Sequence, residues 1–185
     1  MIGLLVVAGI ILLLLLFIWA LDNGLVRSRL KVSEAWSGID VQLKRRSSLI
    51  PNLVETVKGY AAHEREVFEK VTQARSALMG AHGPAEAAQA NNQLTSALKT
   101  LFAVAEAYPQ LRATENFQKL QSELSDIEAK IAYARQFYNS NVMDFNTRIR
   151  LFPNVLLAGP LGFREASFFA ATEEEKGDIK VSFAR

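Results

Sequence analysis

Cysteine is missing altogether from this chain of 185 residues. That absence excludes disulfide frameworks, thiolate zinc sites, CxxC redox chemistry and a cysteine nucleophile together. Histidine is nearly as scarce, with His63 and His82 too far apart to form a helical metal pair. Five prolines and ten glycines are few for the length, which suits helices better than a strand-rich fold. Charge of one sign is lacking as well. The 21 Lys and Arg against 19 Asp and Glu leave a formal +2, too balanced for a nucleic-acid binder or an acidic tail. No GxSxG, Walker-type glycine loop or GxGxxG after a strand is present. His63-Glu64-Arg65-Glu66-Val67 opens like a zincin helix but has no second histidine four residues on, so a solvated helix face is the better reading. No cofactor, no metal and no catalytic residue is therefore expected.

What the chain has in abundance is apolar residues, crowded at its start. Ile2 to Leu21 carries no charge and no proline over 20 residues. A helix of that length is about 30 Å long and matches the hydrocarbon core of a bilayer. Trp19 falls near one end, where an amphipathic ring suits the headgroup level. A cleaved signal peptide would need a basic stretch before the run and a small-x-small site after it. Only Met1 precedes the run, and its exit reads Trp19-Ala20-Leu21-Asp22. Residues 1–21 are accordingly predicted to be a membrane anchor, with lipid as the first partner. Arg27, Arg29 and Lys31 follow it, and the positive-inside rule then places the bulk of the chain in the cytoplasm and the N-terminus outside.

Beyond the anchor, the periodicity is helical. Trp36, Ile39, Leu43, Arg46, Ile50, Leu53, Val57, Tyr60, Glu64, Val67, Val71, Ala74 and Leu78 recur at alternating steps of three and four. Such a seam belongs to helices packed side by side, as in coiled coils and bundles. Pro51 interrupts it chemically. Either one helix from about Val26 to Met79 bends there, which the unbroken phase favours, or Ser47 or Ser48 caps a new helix after a reversal. Gly80, Gly83 and Pro84 end this segment and start a second helix bearing Leu94, Leu98, Leu101 and Phe102, which Tyr108-Pro109 stops. A third opens near Thr114, a candidate N-cap, with the stripe Phe117, Leu120, Leu124, Ile127, Ile131, Ala134, Tyr138, Asn141, Phe145, Arg148, Phe152. The fold class is all-α: a transmembrane helix, then an antiparallel up-and-down bundle over 22–152, of three helices with a kink at Pro51 or four with a reversal there. Residues 153–185 form a Gly/Pro-broken tail whose apolar residues predict docking on the bundle or a neighbour. Within it Glu173 to Asp178 looks disordered, and Ile179 to Phe183 alternates like a short strand.

Several positions are candidates for interaction. Lys44-Arg45-Arg46 is the densest basic cluster, but Lys44 lies 23 residues past Leu21, about 35 Å along a continuous helix. That exceeds a Debye length of about 8 Å, so a solvated face is favoured over lipid attraction, with partner binding second. Arg46 and Glu64 stand on the apolar seam, where a charge needs a partner and serves to fix register. Trp36 is predicted to be a packing anchor. The membrane-proximal part of so long a helix has little of its own chain to cover it, which predicts homo-oligomerisation.

Glu34-Ala35-Trp36-Ser37-Gly38-Ile39-Asp40 through Leu49-Ile50-Pro51-Asn52-Leu53 closely resembles the LemA family. So do Glu115-Asn116-Phe117, Tyr138-Asn139, Phe145-Asn146-Thr147-Arg148-Ile149, Phe152-Pro153-Asn154 and Gly162-Phe163. The resemblance covers nearly the whole chain. It implies a single-pass protein of the bacterial inner membrane with a cytoplasmic helical bundle, and one branch of the family is associated with magnetosome membranes. The function expected on this basis is a non-catalytic scaffold or adaptor, binding copies of itself or an unidentified protein. The alternative is a regulatory subunit of a membrane-associated enzyme or envelope-stress system.

Overall fold

A computed structural model describes residues 1–169, and its regular elements are all helices: α1 (Ile2–Lys58), α2 (Arg65–Gly80), α3 (Gly83–Glu106), α4 (Pro109–Arg112), α5 (Glu115–Arg150) and α6 (Asn154–Ala158). The acidic run and the strand-like run near the C-terminus lie outside the described residues. The chain divides into two compact units, one of Met1–Ile39 with Tyr133–Phe168, the other of Asp40–Ala132 with Phe169.

In the second unit the bundle has four long helical segments, from α1, α2, α3 and α5, with the short α4 between the last two. Pro51 sits inside α1 and neither ends nor reverses it. The helix also does not run on to Met79, as the unbroken stripe suggested; it stops at Lys58, and Gly59–Glu64 make the turn. Gly59 is the poor helix former at that point, and the amides of Tyr60 and Ala61 both fold back on the Val57 carbonyl. Tyr60 and Glu64, read as seam positions, therefore belong to the turn, and buried Ala61 fills it instead. Arg75 meets Ser47, and Lys58 lies over the Phe68 ring, so α2 returns antiparallel to α1.

At the next turn Ala81 is extended and Gly83 has φ +82°, a left-handed conformation that glycine adopts without strain. Pro84 then occupies the first turn of α3, where a missing N–H costs nothing. Ile50, Leu53, Val57, Val71, Leu94, Leu98, Leu101, Phe117 and Leu124 form the core, in keeping with the stripes. Thr114 immediately precedes α5, and its hydroxyl donates back to the Leu111 carbonyl.

In the first unit, α1 buries Leu25, Ser28, Val32, Ala35 and Ile39 on one face. The membrane-proximal stretch is thus covered by its own chain, through α5 beyond Tyr133 and the segment after it. Val26 and Leu30 of the same stretch stay exposed. The buried face of α5 here is Tyr138, Val142, Phe145 and Ile149, and Arg148 and Phe152 are exposed. A straight helix of 3.6 residues per turn drifts away from a strict 3.5 repeat, which moves the stripe by one position over these turns.

Candidate functional site

Two polar constellations stand out, one in each unit. In the bundle unit, Arg46 is 3 % exposed. Its Nη1 donates to Asn91 Oδ1 at 2.5 Å and its Nη2 to Glu128 Oε2 at 2.6 Å. Nε has no partner. Burial lowers the guanidinium pKa from its ordinary value, and the half-exposed Glu128 carboxylate opposes that shift. A seam arginine thus joins α1 to α3 and α5 at one level, which fixes register at a cost in desolvation. Beside it lies a hollow of about 280 Å³ lined by Thr95, Leu98, Phe102, Gln121 and Leu124 among others.

One turn on, Pro51 supplies no N–H to the Ser47 carbonyl that a regular helix would pair with it. Arg75 takes its place, donating Nε–H to Ser47 O at 2.9 Å. Proline remains inside α1 because α2 brings a substitute donor.

The other unit holds a clasp for the segment after α5. Gly162, at φ +78°, turns the chain back. Asn146 then grips the Ala166 backbone twice: its Nδ2 donates to the carbonyl at 3.0 Å, and its Oδ1 accepts from the amide at 2.9 Å. Tyr138 donates its hydroxyl to Ser167 O at 2.7 Å, and burial raises the phenol pKa. Arg150 pairs with Glu165 at 2.6 Å, and the Phe145 and Phe163 rings meet edge to face. The tail was expected to dock, and up to Phe168 it docks on its own unit.

The remaining sequence candidates separate clearly. Ile2 to Trp19 are exposed all round, and none of the most apolar window of α1 is buried, whereas the core helix of a soluble protein would be. Leu21 is half-buried where the span ends, and Arg27, Arg29 and Lys31 all point outward. Trp36 packs edge to face on Tyr138, centroids 5.9 Å apart, as a packing anchor should. Lys44 pairs with Asp40 one turn back, and Arg45 is exposed, so this cluster is a solvated face from which only Arg46 turns inward. Glu64 is half-buried in the turn before α2, at whose N-terminus its side chain makes no capping hydrogen bond.

Sequence reasoning did not find Asn91, Glu128, Arg75 or Asn146. Asn91 had a signal, since it stands on the Ala87–Leu94–Leu98 stripe of an otherwise alanine-rich helix. Among the described residues no cluster of three His, Asp or Glu converges to hold a metal. A hollow of about 780 Å³ between α2 and α3 is lined by mostly neutral side chains such as Gln73, Asn92, Gln93 and Ser96.

A sequence profile described as the LemA family matches residues 35–183. Protein LemA of Metamycoplasma hominis is 29 % identical over 167 residues, covering 88 % of this chain and 75 % of that protein. Magnetosome protein MamQ of Magnetospirillum gryphiswaldense and magnetosome protein MamQ 2 of Paramagnetospirillum magneticum are each 26 % identical over 171 residues, covering 78 % of this chain. The match spans 62 % of each magnetosome protein, less than two thirds of its length.

Proposed function

Because the chain belongs to the LemA family, we propose that it is a membrane-anchored, non-catalytic scaffold or adaptor of the bacterial inner membrane. Its N-terminus faces outward and its helical bundle lies in the cytoplasm. The observation that carries this reading is α1 itself, which runs unbroken from the apolar span through Lys58. A helix continuous with the span ties the residues that follow it to the membrane, which is what a scaffold needs and an independently diffusing enzyme does not. The exposed apolar faces support the second half of the proposal. Tyr133 and Phe137, one turn apart on α5, are 74 % and 53 % exposed, and an aromatic pair in water is a ready contact for another copy or a protein partner.

A photocrosslinking side chain at Phe137, in cells, tests the proposal beside the same probe at exposed Lys70. Adducts at Phe137 joining two copies support a self-assembling scaffold. A stoichiometric foreign enzyme captured there supports the regulatory-subunit reading instead. No adduct at Phe137 above the level at Lys70 overturns the assembly surface. Protease treatment from each side of the membrane tests orientation, and cleavage of the bundle from outside the cell would reverse it.

A further inference from the structure

We propose that the loop from Leu151 to Leu161, with α6 inside it, lies in the headgroup layer of the same bilayer that α1 crosses and makes a second, interfacial membrane contact. This rests on reading Ile2 to Leu21 as the membrane span.

The first argument is height. Trp36 of α1 meets Tyr138 of α5. From Tyr138, α5 continues twelve residues to Arg150, about 18 Å. An equal distance back along α1 from Trp36 reaches Gly24. The two runs are antiparallel, because Leu25, Ser28 and Val32 are buried in a unit whose share of α5 begins only at Tyr133. The C-terminal part of α5, heading toward Leu25, and the segment after it supply that cover. The loop that follows Arg150 therefore lies level with Leu21 to Gly24, where the span ends.

The second argument is composition. Leu151, Phe152, Val155, Leu156 and Leu161 are between 42 % and 79 % exposed, and they crowd a loop of eleven residues. A cluster of this kind in water calls for an apolar phase. The loop also satisfies its own backbone. Leu151 N–H bonds Thr147 O, Val155 N–H bonds Leu151 O, Leu161 N–H bonds Leu157 O and Phe163 N–H bonds Ala158 O. Asn154 Nδ2 closes the Arg148 carbonyl at the end of α5. Backbone paired internally tolerates a water-poor layer, whereas an ordinary surface loop relies on solvent.

Charge agrees. Arg27, Arg29, Arg148, Arg150 and Arg164 are exposed near this level, against Asp22, Asp144 and Glu165, and Arg150 already pairs with Glu165. Arginines round an apolar wedge suit anionic headgroups, with the wedge entering about 5–10 Å.

The chain's lack of cysteine gives a direct test. Leu156→Cys, Leu12→Cys and Met79→Cys are introduced one at a time into the full chain, labelled with an environment-sensitive fluorophore, and reconstituted in vesicles of phosphatidylethanolamine and phosphatidylglycerol. Lipids carrying a quencher near the headgroup or deep in the acyl chain report depth. The proposal expects the label at 156 to lose emission chiefly to the shallow quencher, that at 12 to the deep one, and that at 79 to neither. Adding Leu161→Asp to the Leu156→Cys chain should return its label to water while the Leu12→Cys label stays deep. A label at 156 as unquenched as that at 79, with the label at 12 quenched, overturns the second contact and leaves the anchor standing. Energy transfer between copies at 156 without lipid quenching overturns it in favour of a self-contact. An unquenched label at 12 removes the span, and this proposal falls with it.

Discussion

The pairing of Pro51 with Arg75 makes a quantitative prediction. Ser47 is 1 % exposed, so water is a poor substitute for the donor its carbonyl lacks. Arg75→Met keeps most of the side-chain stem and removes the Nε–H that reaches this oxygen at 2.9 Å. An orphaned buried acceptor costs about 1–3 kcal/mol, and the midpoint of that range is the expectation. Pro51→Ala restores an N–H four residues beyond Ser47 and relieves the ring's crowding of the carbonyl, while giving up about 0.4–1 kcal/mol of unfolded-state restriction. Its own net effect should be small. In the Pro51→Ala background the carbonyl has an intrahelical donor, so Arg75→Met should cost less than half as much. The coupling energy of the four-protein cycle, the difference between the two costs, should therefore exceed about 1 kcal/mol, with the arginine mattering most when proline is present. Denaturant unfolding of the full chain in detergent micelles, followed by helix signal, measures all four. Equal costs for Arg75→Met in both backgrounds would refute the reasoning, since Arg75 would then act through some other contact. A neutral Arg75→Met in the proline background would refute it too, by showing that the carbonyl finds another donor.

Three further outcomes are expected. Replacing Arg46 by Met together with Asn91 by Leu should be neutral or stabilising by about 1–4 kcal/mol in the same unfolding assay, because desolvation is the larger influence on Arg46; Glu128→Ala alone should destabilise, since it leaves the buried cation unpaired. Asn146→Ala removes both bonds to Ala166 and should cost about 2 kcal/mol, read as faster protease cleavage after Phe163 while α5 persists. The Tyr138 phenol has a raised pKa in the folded chain, so its contribution is complete below the unfolded value of about 10 and is lost as pH climbs through the folded value. The tail should therefore loosen in strong alkali, and Tyr138→Phe, already missing the bond to Ser167, should lack that pH step.

Much of the fold was legible because burial imposes periodicity. The stripes of α1 and α5 mark Ile39, Leu43, Ile50, Leu53, Val57, Leu124 and Ile127, and all are buried. Pro84 also marks a helix start and Tyr108-Pro109 a helix end, since proline's missing N–H is harmless in a first turn and the residue before it is pushed out of the α region; the short α4 that Pro109 opens was not anticipated. The turn at Gly59–Glu64 was not legible, because Tyr60 and Glu64 continue the three-and-four spacing by chance across a break that costs only two turns. Pro51 drew attention to the wrong place for a related reason. The usual penalty of an interior proline assumes that nobody answers the abandoned carbonyl, and the answer comes from Arg75, 28 residues away.

The candidate sites show the same limit more sharply. A seam position says that a side chain turns inward but not what it meets, so Arg46 was found while Asn91 and Glu128 were not. Asn146 was invisible as a clasp because its partner is backbone, and backbone carries no residue identity to match. Yet Tyr138, Phe145, Asn146, Asn154, Gly162 and Phe163 all lie within the motifs that carry the family resemblance. In this structure each of them serves to turn or hold the segment that follows α5. The family motifs thus gather in two places, the α1 stretch around Trp36 and the clasp that holds the segment after α5, and the edge-to-face contact of Trp36 with Tyr138 joins the two within the first unit.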